Sequence, residues 1–280
     1  MKRARRSSES SPSRAHISIR ALVPNTLTTI ALCAGLASMQ FSLQEEWGWA
    51  IGCIFLAAIF DTLDGRFARL FGVSSRFGAT LDSLADFLSF GIAPALLLFL
   101  WKVDEAEVLG LAAMVTYVVC AALRLARFTS AAPEQPVPDD RPRVFQGVPT
   151  PAASGIVLLP AMLAESRTLQ LPAIHSGLVV TVLFVVGWLM ISRIPAPSLG
   201  RVRIRRQNAP LVPIAVGLAV VLATKDPLLT LSFIVVLYVA AIPISMIVRH
   251  RRRPQGAERA APRAQERGNG VVLHEPAGDE

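Results

Sequence analysis

Long apolar runs alternate with short polar breaks along most of the chain. Eight apolar stretches can be drawn, approximately Leu22 to Leu43, Trp47 to Arg69, Gly78 to Trp101, Val108 to Phe128, Val148 to Ala164, Ala173 to Ile194, Pro210 to Ala223 and Pro227 to Val248. Most are close to the roughly 18 to 20 apolar residues that a helix needs to cross a bilayer. They predict an all-α, polytopic transmembrane helical bundle of about eight spans. Polar segments flank it, so the expected layout is a basic disordered tail over residues 1–21, one membrane domain over 22–248 and a second disordered tail over 249–280. Composition agrees. The 280 residues are 52% hydrophobic and 17% charged, with mean hydropathy +0.49, which excludes an ordinary soluble domain. Leu22 to Leu43 exceeds a signal-peptide core and lacks a convincing cleavage site.

Charge orients the spans. If they alternate from a cytoplasmic N-terminus, 25 of the 28 lysines and arginines lie inside, all but Lys102, Arg167 and Lys225. By the positive-inside rule both termini are cytoplasmic in a multi-pass protein of the cell membrane. The turn between the second and third spans then faces the cytoplasm.

That turn carries the chemistry. From Asp61 to Asp86 the chain reads D-x2-D-G-x2-A-R-x8-G-x3-D-x3-D, filled by Asp61, Asp64, Gly65, Ala68, Arg69, Gly78, Asp82 and Asp86. The apolar run from Trp47 to Phe60 covers only about 21 Å as a helix, against a hydrocarbon core of about 30 Å, so Asp61 and Asp64 fall within the membrane boundary. Asp61, Asp64, Gly65 and Ala68 share one helix face, and Gly78, Asp82 and Asp86 form a second stripe. A turn from Leu70 to Phe77 lets the stripes face each other. Carboxylates in a span cost about 2.5 to 3.5 kcal/mol each, so four of one sign need a purpose. Hard divalent cations supply one, because carboxylate oxygens are their preferred ligands and two ions can share bridging carboxylates. The other readings of these residues are a structural charge cluster with Arg66, Arg69 and Arg76, the cation site of a divalent-metal transporter, and a non-catalytic scaffold. A transporter more often places its site at the midplane on broken helices, and a scaffold gives no reason for the spacing.

The eight-position pattern resembles the signature of the CDP-alcohol phosphotransferases, integral membrane enzymes that move a phosphatidyl or similar group from a CDP-linked donor to an alcohol. The resemblance implies two divalent cations, Mg²⁺ or Mn²⁺. Asp61, Asp64 and Asp82 would hold the first, and Asp61, Asp82 and Asp86 the second, with Asp86 as general base. It also implies contacts to the CDP part from Gly65, Ala68, Arg69, Ser75 and Gly78, and from Asn25 and Thr28 in the P-N-x-L-T opening of span one. Three further stretches, RLARF ending at Phe128, F-x-G-V-P-T-P-A-A from Phe145, and LMISRIPAPSL from Leu189 to Leu199, are similar to the phosphatidylserine synthases within that family. The pattern departs at Thr129, where those relatives carry Asn. The implied partners are CDP-diacylglycerol, L-serine and membrane lipids. The implied products are phosphatidylserine and CMP, and the implied assembly is a homodimer. Glycerol 3-phosphate, inositol phosphate or choline remain alternative acceptors.

Arg124 and Arg127, three apart at the end of span four, and Arg143 in the following loop are candidates for the acceptor or for donor phosphates. Snorkelling at the interface explains the first two equally well. Cys33, Cys53 and Cys120 are scattered without C-x-x-C spacing, and the four histidines do not cluster, so neither disulfides nor zinc are expected. The basic N-terminal residues and the Arg249 to Arg253 run read as orientation and anchoring signals, and no nucleic-acid partner is expected.

Overall fold

The structure, a computed structural model, describes residues 19–73, 75–103, 106–130, 148–169, 174–192 and 211–251. Every regular element among them is helical and none is a strand. In chain order they are α1 (Ile19–Leu43), α2 (Trp47–Phe71), α3 (Arg76–Val103), α4 (Glu107–Ser130), α5 (Thr150–Ala164), α6 (Ser176–Ile191), α7 (Leu211–Lys225) and α8 (Pro227–Arg251). The chain divides after Val239, and the contacts described below all belong to the unit that ends there.

Among the described residues four stretches are long and apolar enough to cross a membrane: Leu22–Leu43, Trp47–Phe71, Arg76–Val103 and Glu107–Arg127. The apolar helices Thr150–Ala164, Ser176–Ile191, Pro213–Lys225 and Pro227–Ala240 have 10–17 residues each. Length and composition therefore identify four candidate spans where the hydropathy pattern predicts eight. A helix of 15 residues reaches only about 22 Å, short of a full hydrocarbon core.

Two boundaries differ from expectation in ways that bear on the site. α1 begins at Ile19, so Pro24 lies inside the helix instead of opening it. The turn after α2 is also tighter than Leu70 to Phe77. α2 runs to Phe71 and stops at Gly72, whose φ of 63° is left-handed and whose N–H reaches the carbonyls of Ala68 and Arg69. α3 starts at Arg76, capped by Ser75, whose Oγ accepts from the Gly78 N–H at 2.9 Å. A left-handed glycine followed by a serine cap reverses the chain within a few residues.

Small residues bring the helices close. Ala31 and Ala34 of α1 and Ala50, Ile51, Ile54 and Ala57 of α2 are buried in one core with Phe90, Ala93, Leu97 and Leu98 of α3. At Gly35 a Cβ would stand 2.3 Å from Ser89 Oγ, so only glycine allows α1 to cross α3 there. Immediately after Asp86, α3 widens into a π-helical turn over Phe87–Ile92. Such turns strain the regular ladder and recur near functional sites. Neighbours hold this one. The fully buried Tyr117 of α4 donates its hydroxyl to the Phe90 carbonyl at 3.0 Å, and Ser89 Oγ donates to the Ala31 carbonyl at 3.2 Å.

The far ends of the helices are tied by polar contacts. Trp101 Nε1 donates to Glu165 Oε1 at 3.1 Å. Asp226, between α7 and α8, accepts from Ser166 Oγ at 2.6 Å, from the Thr168 N–H at 2.9 Å and from the Leu229 N–H at 3.1 Å. Burial works to raise this carboxyl, but the Ser166 hydroxyl and the two amides outweigh it and hold it down to about 2.

Candidate active site

The last turns of α2 and the first turns of α3 are antiparallel neighbours across the Gly72–Ser75 reversal, and this brings the carboxylates together. Ligand-capable oxygens of Asp61, Asp64 and Asp82 all lie within 4.8 Å of one another. Asp86, one helical turn after Asp82, lies outside that group of converging oxygens but near enough for its carboxyl to interact with that of Asp61. Like charges about 5 Å apart repel by roughly 3 to 4 kcal/mol at an effective dielectric near 20. Among the described residues no ion pair joins Arg66, Arg69 or Arg76 to these four acids, so the structural charge cluster is not what the fold builds. The donor set is all carboxylate oxygen, which fits a hard divalent cation such as Mg²⁺ or Mn²⁺.

Behind the carboxylates, the buried Thr28 of α1 donates its hydroxyl to Asp64 Oδ2 at 2.6 Å. A second contact, to the Pro24 carbonyl, is 3.0 Å, and one hydroxyl proton serves only one acceptor. The shorter contact to the charged group takes it. Thr28 therefore orients a carboxylate of the cluster.

The small residues open the approach. A Cβ at Gly65 would meet only the Arg69 guanidinium, 4.0 Å away, so the backbone there is accessible to a ligand. Ala68 is half-buried on the same stripe and Arg69 is exposed beside it. Gly78 serves a different purpose. Asn25 Oδ1 would lie 2.8 Å from a Cβ at this position and Ser75 Oγ 3.1 Å. The missing side chain thus lets Asn25 of α1 lie against the start of α3.

Arg124 and Arg127 part company. Arg124 donates Nη1 to Thr150 Oγ1 at the first turn of α5 and lies within electrostatic reach of Asp86. Arg127 is exposed and donates Nη1 to the Ile191 carbonyl at 3.4 Å, capping the end of α6. Residues three apart on a helix diverge by about 60°, enough to send one guanidinium toward the acids and the other toward a helix end. Arg143 lies outside the described residues, as do most of the loop after Ser130 and the end of the LMISRIPAPSL stretch.

A sequence model of the CDP-alcohol phosphatidyltransferases matches residues 21–191, more than half of the chain and all of the acidic cluster. The chain belongs to the CDP-alcohol phosphatidyltransferase family. Its relatives include the CDP-diacylglycerol–serine O-phosphatidyltransferase of Mycobacterium leprae, 34% identical over 80% of this chain and 74% of that one. The enzyme of the same name from Helicobacter pylori is 31% identical over 65% of this chain and 74% of that one. Among solved structures, the phosphatidylinositol phosphate synthase of Mycobacterium tuberculosis aligns with a TM-score of 0.42 and 19% identity, covering 64% of this chain and 85% of that one. That likeness is too distant to bear on the assignment. As a CDP-alcohol phosphatidyltransferase the chain is an enzyme of phospholipid synthesis, and its helices are those of a membrane protein.

No motif marks two residues of this site. Thr150 sits in the P-T-P run, where the prolines point to backbone shape and not to the hydroxyl. Tyr238 lies on α8, beyond the residues that the family model matches, and as one of several hydroxyl residues in that helix it carries no signal of its own in the sequence.

Proposed function

We propose that this CDP-alcohol phosphatidyltransferase moves the phosphatidyl group of CDP-diacylglycerol to the hydroxyl of L-serine, giving phosphatidylserine and CMP. One observation carries the reading: carboxylates of Asp61, Asp64 and Asp82 from two helices converge within 4.8 Å, and among the described residues no ion pair joins them to Arg66, Arg69 or Arg76. The names of the relatives that cover most of this chain support serine as acceptor.

Asp61, Asp64 and Asp82 would hold one Mg²⁺ or Mn²⁺, and Asp61, Asp82 and Asp86 a second. When bound, these ions supply positive charge against the diphosphate oxygens of the donor. The protein's own residues do the rest. Gly65 and Ala68 leave space for the CDP part beside the backbone, with Arg69, Ser75, Gly78 and Asn25 around it. Thr28 fixes the Asp64 carboxylate. Asp86 accepts the serine hydroxyl proton as the new oxygen–phosphorus bond forms and the bond to CMP breaks.

The same reading places the enzyme in the cell membrane with about eight crossings, both termini and the active site on the cytoplasmic side. The polar contacts support this. Trp101, Glu165, Ser166, Thr168 and Asp226 meet at one set of helix ends, while the four acids, Arg124, Thr150 and the Arg127–Ile191 contact lie at the opposite ends. Alternate crossing by all eight helices gives this sorting, and it agrees with the charge asymmetry. The homodimer that the resemblance implies is tested by mass measurement in detergent.

Radiolabelled serine, CDP-diacylglycerol and Mg²⁺ or Mn²⁺ are supplied to purified protein, and lipid-soluble label and CMP are counted. Equal, metal-dependent release of both is expected. CMP release with glycerol 3-phosphate but not serine would move the acceptor, and metal flux without CMP release would replace the enzyme by a transporter.

A further inference from the structure

Residues 227–239 of α8 lie outside the residues that the family model matches, yet they touch α5 at Gly155. Its register is fixed at two points. Asp226, just before α8, bonds Ser166, just after the end of α5. One stretch further on, Val235 Cγ2 would lie 3.2 Å from a Cβ at Gly155. The two helices are therefore antiparallel, and the next residue on that face of α8, Tyr238, falls toward Thr150 at the start of α5. Thr150 holds Arg124.

Two buried polar atoms in this part of the bundle have no partner among the described residues. The Arg124 Nε and the Tyr238 hydroxyl are both buried and make no hydrogen bond among the described residues. The two side chains lie within electrostatic reach of each other, and Arg124 also reaches Asp86. Leaving a buried donor unpaired is costly, so two of them on side chains within electrostatic reach of each other and near Asp86 call for an acceptor from outside. With one cation and one hydroxyl, the complementary group is a small anion that accepts two hydrogen bonds.

We infer that Arg124 and Tyr238 bind the α-carboxylate of the acceptor amino acid, and that Tyr238 makes α8 part of acceptor selection. This rests on the serine reading above. Thr150 holds one arm of the guanidinium, so that Nε points at the carboxylate and the hydroxyl of serine is directed to Asp86. An acceptor without a carboxylate leaves both donors unpaired, which is the kind of penalty that gives strong discrimination.

The test is steady-state kinetics of the full-length protein with L-serine and with L-serine amide, for wild type and Tyr238→Phe, together with thermal unfolding in detergent. Tyr238→Phe removes one oxygen and keeps the packing. The expected result is a KM for L-serine raised about tenfold, an unchanged KM for CDP-diacylglycerol, an unchanged melting temperature, and a preference for L-serine over its amide reduced about tenfold. Arg124→Lys, which keeps the charge but loses Nε, is expected to lose the same preference. An unchanged L-serine KM and preference in an active Tyr238→Phe enzyme would overturn the inference while leaving the serine reading intact. A wild type that releases CMP only with a carboxylate-free acceptor would overturn both. A fall in melting temperature with equal losses for L-serine and the amide would make Tyr238 structural and also overturn it.

Discussion

Carboxylates at the two ends of the helical bundle are treated in opposite ways. At one end Asp226 is surrounded by its donors: the Ser166 hydroxyl and the amides of Thr168 and Leu229 occupy its oxygens. At the other end Asp61, Asp64 and Asp82 face one another with Asp86 one helical turn further on, and the protein hydroxyl bonded to them is that of Thr28. An acid that serves the fold has its charge answered within the chain. Acids that face one another, with only the Thr28 hydroxyl and the nearby Arg124 to answer them, suit a divalent cation by their ligand type. This contrast separates a structural from a functional carboxylate better than burial does, because Asp226 and Asp64 are both buried.

Mutations at the two ends should therefore differ in kind. The largest effect is expected for Asp86→Asn: turnover falls by several orders of magnitude while Mn²⁺ and CDP binding are largely kept. Asp61→Asn, in contrast, weakens metal binding first. Rates of CMP release and Mn²⁺ titrations on the same preparations check both, and wild-type turnover in Asp86→Asn would remove it as the base. Gly65→Leu comes next. A side chain there meets only the end of Arg69, so the fold should stand while CDP affinity is lost, as read by CDP titration beside oligomer size in detergent.

Thr28→Val should have a smaller effect. A hydrogen bond to a charged group contributes about 1.5 to 3 kcal/mol, so metal affinity is expected to fall roughly tenfold or more with melting temperature little changed. The smallest effect on catalysis belongs to Asp226→Asn, which should leave turnover unchanged and lower stability by about 1 kcal/mol, the usual scale of a helix cap. One oxygen that accepts becomes an amide that opposes either the Leu229 N–H or, in the other orientation, the Thr168 N–H and Ser166 hydroxyl together. The sign with pH is fixed. The folded carboxyl is held at about 2, below an ordinary aspartate near 3.9. Its contribution is full above about pH 4 and fades as pH falls toward 2. The melting-temperature gap between wild type and Asp226→Asn should narrow over that window, and a constant gap would show that the charge of Asp226 does not stabilise the fold.

The same contrast marks how much of the molecule is legible in its sequence. The acidic end is legible because its residues are local: Asp61 to Asp86 form one hairpin of helices, and helical periodicity alone puts Asp61, Asp64, Gly65 and Ala68 on one stripe. The second arginine shows the limit of that logic. Arg127 shares the local pattern with Arg124, but its partner, the carbonyl of Ile191, is distant in sequence and invisible to periodicity. The Asp226 network, the close crossing at Gly35 and the place of Tyr238 beside Arg124 likewise depend on helix pairs far apart in the chain. Helix existence follows from apolar runs, whereas eight spans do not follow from length, since α5, α6 and α7 are short.

The most direct test is equilibrium Mn²⁺ binding to the purified full-length protein, followed by electron paramagnetic resonance. The account predicts saturable binding of about two ions per chain, displaced by Mg²⁺, strongly weakened in Asp61→Asn and unchanged in Asp226→Asn. Absence of saturable binding, or binding as tight in Asp61→Asn as in wild type, would contradict it.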